Sequence, residues 1–206
     1  MPLRSLLFLL YLGLLSLPAW ALEEGFDYAV LPNPQPTETA DKIEVVEVFM
    51  YTCPHCYHLE PTLAQWRQTL PVNVAFRRMP AVFGPKPDLM ARAFYAADLL
   101  GAEESFTHAM FDALHDKKQR ITDENGVVAV AEAAGLNGAE FLKALNSFDV
   151  NMKVNRARNA TKNYGVDGVP AVVVNGKYRT SPAQAGTREA MIKVMDQLIA
   201  NETNAP

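Results

Sequence analysis

Cys53 and Cys56 are the only two cysteines in the chain, and they stand in the quartet Cys53-Pro54-His55-Cys56. Two thiols separated by two residues can close reversibly into a disulfide, so the chemistry offered is thiol–disulfide exchange. Two cysteines cannot build a multi-bridge scaffold or a four-thiolate zinc site. A structural disulfide would close too small a loop to add much stability by chain entropy. A mixed zinc site would need two more ligands from His55, His58, His108 and His115, the only histidines. His108 and His115 are seven apart, two turns along one helix, and read better as surface or core residues than as ligands.

The chain around the quartet is ordered as exchange chemistry requires. Ile43 to Tyr51 is a β-branched, apolar run that reads as a buried strand. Residues from Pro54 to about Leu70 read as a helix, with Pro54 at the first position, where a missing N–H costs nothing, and Pro61 kinking it further on. Cys53 then faces the unpaired N–H groups and the positive end of the helix dipole, which favour thiolate over thiol. His55, as a cation or hydrogen-bond donor, would add to that preference. Cys56 lies one turn further in, placed to attack a mixed disulfide formed on Cys53. The thiolate exists only in the reduced form, so stabilising it makes the disulfide a better oxidant. Glu47 is conspicuous inside the strand, because a carboxylate there is costly to bury unless it has a partner or a task.

With 206 residues, 49% apolar and 20% charged, the chain can bury a real core. Its 19 basic against 23 acidic residues give a net charge of −4, which excludes a general nucleic-acid binder. Residues 1–21 read as a cleaved signal peptide: Arg4 supplies the basic region, Leu6 to Leu17 the apolar stretch, and Ala19-Trp20-Ala21 the cleavage signal. The competing reading, an uncleaved anchor, is disfavoured by Pro18. Export implies an oxidising compartment.

Beyond the lead-in of 22–41, rich in proline and expected to be irregular, the elements follow a β-α-β, helices, β-β-α order. Val72 to Met79 is a second strand, and Pro87 to Tyr164 a block of helices. Phe106, Ala109, Met110, Ala113 and Leu114 form one apolar stripe. Val127, Val128, Val130 and Ala131 mark another helix. Asn137 and Glu140 open a third through a capping box, with Phe141, Leu142 and Leu145 as its apolar face, and Asn151 to Tyr164 is a fourth. Strand character returns at Ala171 to Val174, Asn175-Gly176 signals a hairpin, and Thr187 to Ala200 is a closing helix. The helices interrupt a smaller α/β unit.

These features resemble the DsbA family of periplasmic thiol–disulfide oxidoreductases. The resemblance rests on Val45-Val46-Glu47-Val48-Phe49 leading into Cys53-Pro54-His55-Cys56-Tyr57, and on Gly168-Val169-Pro170-Ala171 followed by Val174-Asn175-Gly176-Lys177-Tyr178. It implies an α/β thioredoxin fold, a central mixed sheet with flanking helices, with an inserted all-helical domain. Residues 22–84 and 165–206 would form the thioredoxin-like domain and 85–164 the insert. It also implies that Cys53 is the nucleophile and Cys56 the resolving thiol, joined as the redox-active disulfide, with no other cofactor and no metal. Pro54, His55 and the buried acid Glu47 would tune the pair, Glu47 as a proton acceptor for Cys56. Its alternative is a solvent-facing residue on an edge strand. Glu60 could add charge there or be solvated. Val169-Pro170 would be a cis-proline pair that turns the Val169 backbone towards a bound peptide, the alternative being an ordinary trans turn. The implied protein is a periplasmic monomer that oxidises reduced, unfolded secreted proteins and is reoxidised by a quinone-linked membrane partner of the DsbB type. A disulfide isomerase, for which the segment before Ile43 is short, and a peptide-binding module without redox turnover are the alternatives.

Overall fold

A computed structural model describes residues 22–39, 41–85 and 88–204. The expected signal peptide, residues 1–21, lies outside the described residues, as does the start of the helical block at Pro87. Among the described residues no helix is long and apolar enough to cross a membrane.

Five strands form one mixed sheet in the order β1-β5-β4-β2-β3. They are β1 (Ala29–Val30), β2 (Ile43–Phe49), β3 (Val74–Pro80), β4 (Ala171–Val174) and β5 (Tyr178–Thr180). β2 and β3 are parallel, and every other pairing is antiparallel. Parallel pairing needs a crossover, which α1 (Pro54–Arg67) supplies. β2 is paired on both sides and buried along its whole length, which explains its largely apolar character. Val45 faces Leu59 and Leu63 of α1 and Met191, Met195 and Leu198 of α8 (Arg188–Thr203), while Val46 and Val48 face the other core.

Between β3 and β4 run α2 (Leu89–Leu99), α3 (Glu103–Phe111), α4 (Glu124–Ala133), α5 (Gly138–Leu145) and α6 (Phe148–Asn163); α7 (Pro182–Ala185) precedes α8. Asp88, Asp123, Asn137, Ser147 and Thr187 each accept a backbone N–H at the start of α2, α4, α5, α6 and α8. The helical block meets the sheet through an aromatic cluster, in which Phe49, Tyr51, Phe94, Phe106 and Phe111 pack largely edge to face.

The structure corrects several expectations in detail. The lead-in is not wholly irregular, because Ala29–Val30 adds an edge strand to β5. α1 ends at Arg67 rather than Leu70 and continues past Pro61, which withdraws a helical donor without ending the helix. α6 starts at Phe148, three residues before the expected start, because Ser147 caps it. Leu142 is exposed, not part of the α5 core face. The hairpin at Asn175-Gly176 has positive φ at both residues, 50° and 62°, as a tight primed turn requires. A side chain on Gly176 would also collide with the Gln35 carbonyl, its Cβ falling 2.1 Å from the oxygen.

Candidate active site

Cys53 occupies the N-cap of α1 and Pro54 its first turn. The Cys53 N–H donates to the Met50 carbonyl at 3.1 Å, closing a tight turn between β2 and α1. Its side chain is half-buried and does not cap the helix; instead Sγ lies 3.4 Å from the Val169 carbonyl oxygen, 116 residues away in sequence. The Val169–Pro170 peptide bond is cis. His55 is exposed, and with His58, Val169, Pro170, Arg179 and Arg188 it lines an open groove of about 900 Å³ beside the sulfur. Arg188 crosses the groove end to donate to the His58 carbonyl at 2.5 Å.

Cys56 is fully buried and unbonded to Cys53 in this structure. Burial pushes its thiol far above the ordinary range, and the nearby charges of Cys53 and Glu47 push the same way. A thiol so held keeps its proton, and a Cys56 thiolate formed there draws one from a neighbouring acid.

Glu47 is the acid whose charge reaches that thiol. The edge-strand alternative fails: Glu47 is 0% exposed on β2, an interior strand paired on both sides by β4 and β3. In the β2–β3 register it stands opposite Arg78, whose Nε is 3.3 Å from Glu47 Oε2 without well-aligned hydrogen bonding to either oxygen. Arg78 is equally buried and is shared. It donates to Glu60 at 2.7 Å, to Glu103 at 3.0 Å and to Glu104 at 3.1 Å. Arg67 adds a second cation, 2.9 Å from Glu104. Four carboxylates against two guanidinium groups leave negative charge in excess. Desolvation, then the Glu60 charge, raise the Glu47 carboxyl to about 8, against the opposing pull of Arg78. Burial likewise raises Glu60, so Glu60 is part of the cluster and not a merely solvated residue. Among the described residues no group of three or more His, Cys, Asp or Glu could hold a metal.

The chain's likeness to known proteins matches this geometry. A family model, the DSBA-like thioredoxin domain, matches residues 78–188, just over half of the chain. The Thiol:disulfide interchange protein DsbA of Pseudomonas syringae pv. tomato is 39% identical over 193 residues, 94% of this chain and 90% of that protein. The crystal structure of Pseudomonas aeruginosa DsbA superposes with a TM-score of 0.82 at 36% identity, over 87% of this chain and 93% of that one. Oxidoreductase DsbA from Xylella fastidiosa gives 0.83 at 33% identity, over 89% and 99%. The chain belongs to the DsbA family. As a DsbA-family protein it is a thiol:disulfide oxidoreductase with the thioredoxin-like fold.

Three parts of this DsbA-family site escape sequence reasoning. Arg78 shows only as one of two arginines in an otherwise strand-like run, and its partners come from β2, α1 and α3. Tyr51 is legible as an apolar strand end, yet its hydroxyl meets Thr107 Oγ1 of α3 at 2.9 Å. His115, read as a surface or core residue, is half-buried, and its Nε2 lies 2.7 Å from the Tyr51 carbonyl.

Proposed function

We propose that the protein donates a Cys53–Cys56 disulfide to reduced, unfolded secreted proteins in the periplasm. The observation that carries this reading is the pairing of a half-exposed Cys53 sulfur, at a helix N-terminus and beside the Val169 carbonyl, with a buried Cys56 one turn behind it.

A substrate thiolate attacks Cys53 Sγ of the disulfide, forming a mixed disulfide and releasing Cys56 as the leaving thiolate. Positive partial charge at the α1 N-terminus stabilises anionic sulfur on Cys53. The released Cys56 sits in a site that strongly favours the neutral thiol, so it takes up a proton, and a Glu47 carboxyl raised to about 8 can supply it near neutral pH. The substrate's second thiolate then displaces Cys53. The substrate loses two electrons, its thiol protons having passed to solvent; the pair is left as a Cys53 thiolate and a Cys56 thiol, and Glu47 regains its proton from solvent. Pro54 holds the first turn of α1, and His55 sits on the groove wall beside Cys53. Val169 and Pro170 line the same wall, where main-chain groups can hold an extended peptide without reading its side chains.

The pair itself is the redox group, with no further cofactor or metal called on. A quinone-linked membrane protein of the DsbB type would return the dithiol to the disulfide, and the protein would work as a monomer. The test mixes oxidised protein with a reduced, unfolded two-cysteine peptide. Oxidised peptide and two new protein thiols are expected; a peptide left reduced overturns the reading.

A further inference from the structure

The two residues that bracket the cysteine pair are gripped by one short stretch of the helical block. Tyr51 lies two positions before Cys53, and Tyr57 directly follows Cys56. After α3 the chain does not continue as α-helix but widens into a π turn, Asp112–Asp116. Its wide hydrogen bond runs from Lys117 N–H to the Asp112 carbonyl at 2.9 Å, and Lys118 closes it with φ of 53°. Such turns are uncommon and often sit at functional sites, because they re-aim side chains that a regular helix would stack in line.

Here the re-aimed residues are His115 and Asp116. His115 Nε2 is 2.7 Å from the Tyr51 carbonyl; a carbonyl only accepts, so Nε2 carries the hydrogen and donates. The imidazole lies flat on the Tyr57 ring, with centroids 4.8 Å apart and planes 8° apart. Asp116 Oδ1 accepts from the Tyr57 hydroxyl at 2.8 Å. Tyr51 is held a second time through its hydroxyl on Thr107. The Tyr51 carbonyl belongs to the turn closed by the Cys53 N–H and Met50 carbonyl, so fixing it fixes where the Cys53 N-cap points. The Tyr57 ring projects from the first turn of α1, so fixing it fixes the roll of the helix that carries Cys56.

We propose that His115 and Asp116 are positioning residues for the redox centre, setting through Tyr51 and Tyr57 the geometry in which Cys53 is attacked. The inference rests on the exchange reaction proposed above, in which two substrate thiolates pass two electrons to the Cys53–Cys56 disulfide and leave as a substrate disulfide.

The test compares His115→Phe, which keeps a ring against Tyr57 but cannot donate to the Tyr51 carbonyl, with His115→Gln, whose amide nitrogen has similar reach. Three quantities are read: the rate of peptide oxidation, the equilibrium constant against glutathione, and the unfolding midpoint. Loss of one buried hydrogen bond corresponds to about a fivefold effect. H115F is therefore expected to slow oxidation about fivefold and to move the glutathione equilibrium, with H115Q returning both to within about twofold of the parent. A destabilised H115F that exchanges at the parental rate and equilibrium overturns the proposal. Tyr57→Phe is an independent arm that removes only the bond to Asp116, at an exposed position, and so tests the idea if H115F does not fold. A rate about threefold below the parent is expected for it, and an unchanged rate overturns the role of Asp116. A parent protein that leaves the peptide reduced would instead overturn the exchange reaction itself.

Discussion

The two flanks of α1 are built from different materials. On one side lies the Val169–Pro170 loop and a groove of about 900 Å³, where main-chain groups and a few exposed side chains face solvent. On the other side lies α3 with its π turn, and there side chains interlock: Tyr57 with His115 and Asp116, Tyr51 with Thr107, Arg67 with Glu104, and Arg78 with four carboxylates. On the open flank the committed side chains, such as Arg179 and Arg188, bond main-chain carbonyls rather than one another, which leaves the groove clear. The closed flank commits its side chains to fixed partners, with Arg78 buried among its acids while Glu104 and Asp116 reach solvent. One helix thus presents a permissive face and a rigid one, with Cys53 at their meeting point.

The largest effect is expected from removing the sulfur where the two flanks meet. Cys53→Ser should abolish peptide oxidation, by about a thousandfold or more, while leaving peptide affinity for the open flank unchanged, measured by calorimetry. Residual oxidation near the parental rate would transfer the chemistry elsewhere.

A second probe addresses the closed flank. The Glu47 carboxyl is raised in the folded protein from its ordinary value of 4.5 to about 8. Between those two values the folded protein holds more protons than the unfolded chain, so stability falls as pH rises from 4.5 to 8 and then levels. A tenfold change in proton affinity is worth about 1.4 kcal/mol. Glu47→Gln should therefore flatten that decline and stabilise the protein at pH 8 by about 2 kcal/mol, after the weakened contact with Arg78 is offset. Urea unfolding at pH 5 and pH 8 checks it: an equal decline in both proteins contradicts a buried, proton-holding Glu47. The same substitution should slow peptide oxidation, since Cys56 loses its proton donor.

Thr161 tests how firmly the helical block is fastened. Its hydroxyl donates to Ala157 and accepts from the Val82 N–H, joining α6 to the segment leaving β3. Thr161→Val keeps the volume but leaves the buried Val82 N–H unpaired, which should cost about 2 kcal/mol of stability in thermal or denaturant unfolding. The smallest effect belongs to the open flank. Arg188→Ala removes an exposed bond to the His58 carbonyl, and its stability cost should stay within about 0.5 kcal/mol. A loss as large as about 2 kcal/mol would show the open flank to be as tightly fastened as the buried Thr161 joint.

The local pattern of the sequence already carried much of this. β-branched residues from Ile43 to Phe49, the helix-opening Pro54 and the Asn175-Gly176 turn are short-range signals, and each appears in the structure as the element expected. The order of elements placed Cys53 at a helix start, and the anomaly of a carboxylate at Glu47 was visible from its apolar neighbours. β1 was missed because a two-residue strand has no periodicity to detect; it exists through pairing with β5. The π turn was missed because its residues continue an apolar stripe that fits an α-helix equally well.

Which residues could exchange electrons, and which helix end would carry them, follows from neighbours a few positions apart and is therefore written in the chain. The tertiary structure alone decided that the Val169 carbonyl lies 3.4 Å from the Cys53 sulfur, that Glu47 shares Arg78 with three other acids, and that His115 reaches the Tyr51 carbonyl. Those meetings join residues from 18 to 116 positions apart. Strand register and helix packing set them, and both are fixed by burial over the whole core rather than by any local preference.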